Sequence, residues 1–274
     1  MEPCDAAAYP RSASLYKQQR TIRVAAVGDL HVRERPRWDL AELFATLPER
    51  ADLLVVAGDI TENGRVGEAI YAAEALAAAG VPVYAVLGNH DLRGLRRRAF
   101  RQELEAVGVR VLVGEAAVAT AAGVEIGIAG VSGSGGGFWS AEDWQKPRGR
   151  AFNAVAVRVR REAERLDHAL RELHTPVKIV VTHFAPTPTT LGNEPLAKWW
   201  MLGNAELGRV IDAHQVDLVV HGHAHLGNRV GETPGGVPVR NAALPVTGGI
   251  LVLRMEVDIS LPTPMLGAFP EPDR

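Results

Sequence analysis

The chain has one cysteine among its 274 residues, so it can form no internal disulfide and has no cysteine pair for a structural zinc site. That residue, Cys4, lies in a polar and alanine-rich leader. No segment approaches the roughly 20 apolar residues of a membrane span, and the leader lacks the apolar stretch of a signal peptide. We therefore expect a protein of the reducing cytoplasm that is neither exported nor inserted into a membrane.

An excess of positive charge is also missing, since 30 Lys and Arg stand against 32 Asp and Glu. No net positive field draws in a polyanion from a distance, so nucleic acid is not expected as a partner. The 47% hydrophobic and 23% charged residues suffice for a core and a solvated surface. The length fits one large α/β domain, which we place at 21–260, between a flexible leader (1–20) and a tail (261–274). The sequence does not indicate the oligomeric state.

Short valine-rich runs that end in polar motifs recur in the first half of the chain, at 22–31, 53–59 and 83–91. Their apolar stretches are too short for typical helices, which favours buried strands. Apolar residues at helical spacing follow at 70–77 and 100–107. The alternation predicts a mainly parallel sheet with crossover helices and with ligands at the carboxyl ends of the strands.

A second set of elements follows. We predict strands at 118–131, 177–183 and 217–225, and a long helix near 155–173. The closing segments VPVRNAA and GGILVLRMEV resemble the two strands of a hairpin. Together these elements predict a second mixed sheet packed on the first.

The polar motifs after these runs carry carboxylates, an amide and histidines. They are Asp29-x-His31, Gly58-Asp59, Gly88-Asn89-His90-Asp91, Thr182-His183 and Gly222-His223-Ala224-His225. Each is weak alone, because a Gly-Asp pair is often a turn and a lone histidine is more often structural. Six of the nine histidines nevertheless follow apolar runs directly (31, 90, 183, 221, 223 and 225). Oxygen and imidazole ligands without cysteine suit manganese, iron, zinc or cobalt and argue against a structural zinc site.

In order and placement the five motifs resemble those of the calcineurin-like metallophosphoesterase superfamily, from Val24 to His225. The resemblance implies an α/β fold, a four-layer sandwich of two mixed β-sheets flanked by helices, with two divalent or trivalent transition-metal ions at one end. It implies that Asp29, His31 and His225 hold the first ion, that Asn89, His183 and His223 hold the second, and that Asp59 bridges them. A shared carboxylate offsets the repulsion between cations about 4 Å apart.

The activity that this resemblance implies is hydrolysis of a small phosphate ester. A metal-bridging hydroxide would attack phosphorus in line, and the Asn89 amide would help to stabilise the phosphoryl oxygens. His90 would protonate the leaving alkoxide, with Asp91 as its partner, although Asp91 is equally suited to be a helix N-cap. We favour a phosphodiester such as a nucleotide derivative over a phosphomonoester. The alternatives are a nuclease and a protein-interaction scaffold without catalysis.

Weaker signals have ordinary structural interpretations beside functional ones. The stretch SGSGGGFW at 132–139 predicts a plain connection rather than a loop that closes over substrate. Arg93 and Arg96–Arg98 predict a solvated helix start rather than a phosphate contact. Lys198, Trp199 and Trp200 suit stacking of an aromatic group, but large aromatics are usually packing residues.

The remaining histidines carry less information. His221 either steadies a ligand or is a hydrogen-bonded core residue. His168, His174 and His214 fall on or near predicted helices, away from the strand ends, and receive no function.

Overall fold

The computed structural model describes residues 15–138 and 149–262. Its strands and helices, in chain order, are β1 (Leu15–Val27), α1 (Trp38–Ala45), α2 (Leu47–Arg50), β2 (Leu53–Ala57), α3 (Val66–Ala77), β3 (Val83–Val86), α4 (Arg97–Ala106), β4 (Val109–Leu112), β5 (Glu115–Ala121), β6 (Val124–Val131), α5 (Gly149–Arg171), β7 (Val177–Thr182), α6 (Trp199–Leu202), α7 (Ala205–Asp212), β8 (Leu218–His221), β9 (Val230–Glu232), β10 (Pro238–Asn241), α8 (Leu244–Thr247) and β11 (Leu251–Pro262). Cys4, Trp139 and most of the predicted leader and tail lie outside the described residues.

The strands form two mixed sheets, as predicted. The first has the order β11-β1-β2-β3-β4, with β1 to β4 parallel and β11 antiparallel to β1. The second has the order β5-β6-β7-β8-β10-β9, in which β6, β7, β8 and β10 are parallel and the two edge strands are antiparallel to their neighbours. The valine-rich runs thus occupy the parallel centres of the sheets, where both faces are covered.

Alternation of side chains along the strands divides the core into three layers of apolar contact. Val55 of β2 points into the layer between the sheets, where it shares a cluster with Ile128 and Ile179 of the second sheet. The next residue, Val56, points the opposite way into the cluster formed with α1, α3 and α4. On the far side, α5 and α7 cover the second sheet. The predicted four-layer sandwich of helices, two sheets and helices is confirmed.

The closing segments do not form the predicted hairpin. β10 joins the second sheet beside β8, whereas β11 joins the first sheet beside β1. The intervening α8 and the left-handed Gly248 (φ 68°) redirect the chain between the two sheets. The alternating apolar residues of β11 then cover the end of the core between the sheets.

The pairing of β1 with β11 is longer than the sequence predicted. It runs from Ala26 opposite Leu251 to Leu15 opposite Pro262. The predicted domain boundaries at 20 and 261 therefore fall inside paired strands. Residues 17–20 are polar, so their strand character comes from the partner strand rather than from an apolar pattern.

Within residues 15–138 and 149–262, no helix combines the length and the apolar character that crossing a lipid bilayer requires.

Candidate metal centre

Loops after five strands converge at one end of the sandwich. The loops after β1 and β2 are joined by backbone hydrogen bonds, from Asp29 N to Gly58 O at 2.9 Å and from His31 N to Asp59 O at 3.0 Å. The loops after β3, β7 and β8 bring Asn89, the His183 ring and the GHAH motif to the same place. Parallel strands present their carboxyl ends at one edge, which explains why motifs far apart in sequence meet here.

Four non-glycine residues of this cluster have left-handed backbone. They are Asp29 (φ 59°), His31 (φ 47°), Asp59 (φ 47°) and His223 (φ 68°). This conformation costs roughly 1–2 kcal/mol for an L-residue and persists where surrounding contacts enforce it. Its effect is to turn each loop sharply after its strand, so that the side chains point into one common centre.

Two glycines allow the loops to approach closely. A Cβ at Gly58 (φ 80°) would lie 2.7 Å from His183 Nδ1, and one at Gly88 would overlap the Asp59 carboxylate. The glycines of the GD and GNHD motifs are therefore required by the packing of the centre itself.

The first group of potential ligands consists of Asp29, His31 and His225. His225 Nε2 lies 2.8 Å from Asp29 Oδ1, and His31 Nε2 lies 4.0 Å from the same oxygen. The hydrogen bond to Asp29 raises the pKa of the His225 imidazole. Burial raises the pKa of the Asp29 carboxyl, but the hydrogen bond with His225 and the charge of His183 outweigh burial and lower it. This carboxylate thus attracts positive charge.

The second group consists of Asp59, His183 and His223. His183 Nε2 faces Asn89 Oδ1 at 3.0 Å and Asp59 Oδ2 at 3.4 Å, while its Nδ1 donates to Ala57 O at 2.9 Å. Burial lowers the pKa of His183, but the adjacent Asp59 carboxylate and its negative charge outweigh burial and raise it to about 9. His223 differs, because burial and the neighbouring His183 lower its pKa to about 3 and keep the ring neutral.

Asp59 and His31 connect the two groups. Asp59 Oδ2 lies 3.9 Å from His31 Nε2, and His31, Asp59 and His90 form a third potential ligand group. Among the described residues, Asp59 Oδ2 and both ring nitrogens of His31 are buried without a hydrogen-bond partner. Buried polar atoms are rarely left unpaired, and these are metal-ligand atoms, so the residues present fit metal ions. All seven side chains predicted as ligands lie in this cluster, and their metal binding stays a prediction.

Asp91 does not contact His90 as expected. Its buried carboxylate accepts hydrogen bonds from the backbone N–H groups of Ile60 (3.1 Å), Thr61 (2.8 Å) and Gly88 (2.9 Å), and from the Thr61 hydroxyl (2.8 Å). It is not the alternative helix N-cap either, since it is the first residue of a single-turn 3-10 helix, Asp91–Arg93, whose N-cap is His90. Burial, followed by the charge of Asp59, raises the pKa of Asp91 to about 6. The role that the structure supports is to hold the loops after β2 and β3 together.

Glu62 is the residue that sequence reasoning missed. His90 Nδ1 donates to the Glu62 carbonyl at 2.7 Å, and the Glu62 carboxylate lies 3.6 Å from that nitrogen and 3.7 Å from His31 Nδ1. On its other side, His90 Nε2 accepts from Arg93 Nη2 at 3.0 Å. The sequence signal that could have identified Glu62 is its position, a carboxylate three residues after Asp59 in the same loop.

Comparisons with known proteins agree with this geometry. The family model described as calcineurin-like phosphoesterase matches residues 22–227. The chain belongs to this family. The resemblance seen in the motifs is thereby confirmed, and proteins of the family generally bind two divalent metal ions. A search of curated proteins finds no match to the chain.

Solved structures with a similar fold include other proteins of low sequence identity. Phosphopantetheinyl Hydrolase (PptH) from Mycobacterium tuberculosis is 18% identical, with 80% of this chain and 88% of that chain covered and a TM-score of 0.57. TT1561 of Thermus thermophilus is 18% identical, with 81% and 89% covered and a TM-score of 0.52. GAP50, the anchor in the inner membrane complex of Plasmodium, is 14% identical, with 88% and 83% covered and a TM-score of 0.50. At these identities the similarity shows the fold alone.

Other predictions for this calcineurin-like phosphoesterase concern residues around the centre. His221 is a satisfied buried histidine, with Nε2 2.8 Å from the Thr190 hydroxyl and Nδ1 2.7 Å from Gly222 O. Burial lowers its pKa to about 4. Trp199 packs partly buried and donates to Glu194 O at 3.0 Å, whereas Trp200 is 48% exposed.

The glycine-rich stretch is a fixed connection over its described part, 132–138. Gly136 N donates to Trp200 O at 2.6 Å, and Gly137 N donates to Gly203 O at 2.9 Å. Arg93 and Arg96–Arg98 are exposed, and α4 begins at Arg97, as expected of a solvated helix start. Arg93 has an additional role, because its guanidinium contacts His90.

Proposed function

We propose that the chain is a metal-dependent hydrolase of small phosphate esters that prefers phosphodiesters to phosphomonoesters. The observation that carries this proposal is the cluster of Asp and His side chains around Asp59, whose Oδ2 is buried and has no hydrogen-bond partner among the described residues. A carboxylate oxygen placed between two sets of ligand atoms is what a shared metal bridge requires.

The proposed ligand sets follow the two groups described above. Asp29, His31 and His225 would hold one ion, Asn89, His183 and His223 would hold the other, and Asp59 would contribute to both. When bound, two such ions supply a nucleophilic hydroxide at neutral pH and polarise the phosphoryl oxygens as Lewis acids. Mixed oxygen and nitrogen ligands suit Mn, Fe, Zn or Co.

The chain's own residues prepare the site for cations and for an anionic substrate. The carboxylates of Asp29 and Asp59 lie 2.8 Å from His225 Nε2 and 3.4 Å from His183 Nε2, and their negative charge favours a cation at these positions. The hydrogen bond from His183 Nδ1 to Ala57 O directs Nε2 into the centre as a ligand atom. Asn89 turns its Oδ1 toward His183, which leaves its amide N–H group to donate to a phosphoryl oxygen.

His90 is the proposed general acid. Its Nδ1 proton is held by the Glu62 carbonyl at 2.7 Å, so Nε2 is the atom that delivers a proton to the leaving alkoxide. In the structure this nitrogen accepts a hydrogen bond from Arg93 Nη2 at 3.0 Å. A phosphate ester that draws the Arg93 guanidinium to its own oxygens would free Nε2 to take a proton from solvent water and pass it to the leaving alkoxide.

The space beside the centre supports the proposed preference for a diester. A cavity of about 780 Å³ adjoins Asn89 and Arg93. A diester carries a second substituent on phosphorus that a monoester lacks, and this cavity accommodates it.

A non-catalytic scaffold is the alternative from a different class, and the structural relative GAP50 is described as an anchor. The presence of all seven proposed ligands together with His90 supports a hydrolase, because a scaffold requires neither the unpaired ligand atoms nor the strained loops.

The test is a metal-supplemented assay on matched esters. Protein with added Mn²⁺ is expected to hydrolyse bis(p-nitrophenyl) phosphate with a higher kcat/KM than p-nitrophenyl phosphate, and metal analysis is expected to give about two ions per chain. Higher kcat/KM on the monoester would overturn the diester preference. No turnover of either ester together with no bound metal would overturn the hydrolase.

A further inference from the structure

Arginine is the most frequent residue type in the lining of the cavity beside the centre. Its volume of about 780 Å³ lies within the range of small-molecule sites. Two helices from opposite outer layers provide most of the arginines, α4 on the first sheet and α5 on the second. The nearly equal numbers of acidic and basic residues in the sequence do not reveal these arginines, because totals do not say where the residues lie in the fold.

Most of these arginines have no acidic partner. Arg101 pairs with Glu105 and Glu115, and Arg165 pairs with Glu162. The other lining arginines, which form no ion pair with any carboxylate in the described part of the chain, are Arg93, Arg97, Arg98, Arg158 and Arg161. Among the residues that the structure describes, Glu162 is the one carboxylate that lines the cavity, and it is already engaged by Arg165 and by Gly133 N at 3.2 Å.

Unpaired guanidinium groups that line one cavity repel one another, and the repulsion is relieved by an anion bound between them. Arg158 and Arg161 lie three residues apart and so share one face of α5, which directs both toward the same cavity. Arg97 and Arg98 face that cavity from the first turn of α4. The planar fork of arginine binds phosphate through paired hydrogen bonds.

The cavity is continuous with the metal centre. Asn89 lines the cavity and lies 3.0 Å from His183 Nε2 through its Oδ1. Arg93 also lines it and contacts His90 at 3.0 Å. A molecule whose scissile phosphate reaches Asn89 therefore extends the rest of its structure among the arginines.

We propose that the substrate is a small phosphate ester that carries at least one further phosphoryl group on the part that is not cleaved, and that the unpaired arginines of α4 and α5 bind that group. This proposal rests on the proposed hydrolase function. It differs from a nuclease, because the positive charge lies in a cavity of small-molecule size on a chain with a net charge of −2.

The experiment compares two substrates with the same scissile bond. These are thymidine 5′-(p-nitrophenyl phosphate) and the same ester with an added 3′-phosphate, assayed with the metal-loaded full chain at fixed ionic strength. A charge-assisted arginine contact leads us to expect a preference of about tenfold or more in kcat/KM for the 3′-phosphorylated ester.

Paired variants locate the preference. Arg158→Gln/Arg161→Gln is expected to lower kcat/KM for the 3′-phosphorylated ester about tenfold more than for the simple ester. The matched control, Arg110→Gln/Arg160→Gln, removes the same charge from exposed arginines outside the cavity lining and is expected to keep the wild-type preference. Both pairs are exposed side chains, so the variants are expected to fold.

Calorimetry gives a second readout that does not depend on turnover. Thymidine 3′,5′-bisphosphate is expected to bind the metal-loaded protein about tenfold more tightly than thymidine 5′-monophosphate, and the α5 double variant is expected to remove most of that difference. Equal binding and equal kcat/KM for the two members of each pair would overturn the proposal. So would a higher kcat/KM on single-stranded DNA, or an equal loss in the control variant.

The same measurements distinguish this proposal from the proposed function. Turnover of both esters without a preference overturns only the arginine site. Tighter binding of the bisphosphate without turnover of either ester overturns the hydrolase, and with it the description of the cavity as a substrate site.

Discussion

The two sheets contribute unequally to the centre. Loops of the first sheet provide every proposed oxygen ligand, Asp29, Asp59 and Asn89, as well as His31. Loops of the second sheet provide imidazoles alone, from the strand ends after β7 and β8. Among the proposed ligands, negative charge thus comes only from the loops of the first sheet.

The first sheet also fixes the geometry of the second sheet's ligands. His183 is oriented by the Ala57 carbonyl at the end of β2, and His223 N donates to the Asp29 carboxylate at 2.9 Å. The first-sheet loops, in turn, are held by one another through the buried Asp91 carboxylate. Hydrogen bonds to the first sheet therefore orient the histidines of the second sheet, and the following experiments test that asymmetry.

Loss of the shared carboxylate is expected to have the largest effect. Asp59→Asn should lower kcat/KM on an activated diester by roughly 10³ or more, because several kcal/mol of transition-state stabilisation depend on the bridged pair. His225→Ala, which removes a second-sheet ligand of one ion, should cost less. The metal content per chain, measured on the same samples, should fall further in Asp59→Asn than in His225→Ala. An equal loss of kcat/KM in both variants would contradict this asymmetry between the sheets. Asp258→Asn, at an exposed position, serves as the control.

A His90 variant tests proton transfer separately from metal binding, because His90 is not among the seven proposed metal ligands. His90→Ala should lower kcat/KM by about 10² for esters with an alkyl leaving group and far less for p-nitrophenyl esters, because only poor leaving groups need protonation. The slope of log kcat/KM against leaving-group pKa measures this. An unchanged slope would exclude His90 as the general acid, and His168→Ala, on an exposed position of α5, is the matched control.

The hydrogen bonds that hold the loops of the two sheets can be compared through the free energy of unfolding of variants. Asp91 accepts four hydrogen bonds between first-sheet loops, whereas the buried Glu194 accepts two near the second-sheet ligands, from Gly192 N and Leu226 N. Asp91→Asn should lower the free energy of unfolding by about 3 kcal/mol at pH 8 and Glu194→Gln by about 1 kcal/mol, since each amide places N–H groups against N–H donors. Urea unfolding followed by circular dichroism gives both values. A larger loss for Glu194→Gln would reverse the comparison.

Chelation of the metals is expected to have the smallest effect. Ions held by both sheets stabilise the folded state, so removing them should lower Tm by about 5 °C for a chain of this size. Asp59→Asn should show a smaller shift on chelation. The same shift in the variant would mean that Asp59 does not share in metal binding.

Much of the centre was predictable because a buried strand has a strong signature. The valine-rich runs mark where the strands end, and Asp29, Asp59 and His183 follow them directly. Parallel strands then place these ends together without further information. The four-layer fold followed from the same alternation of runs and helices together with the family resemblance.

The parts that were missed depend on contacts rather than on patterns. Asp91 and Glu62 are both carboxylates near histidines in sequence, and only the path of the loops decides which of them lies beside His90. The unpaired arginines of α4 and α5 line one cavity although they lie about 60 residues apart in the sequence and on helices that cover different sheets, for which no local signal exists. The pairing of β11 with β1, in place of the predicted hairpin, could not be predicted either, because the sequence of one strand does not specify its partner.

The pairing of β11 with β1 has a consequence for how the protein is made. The two strands meet across 235 positions of sequence, as in the hydrogen bond from Thr21 to Glu256. On the ribosome, β1 through β4 emerge before β11, so the nascent first sheet has an open edge beside β1 until β11 has been synthesised. An unpaired edge is a template for association with other chains. We therefore expect released chains that stop before residue 251 to aggregate.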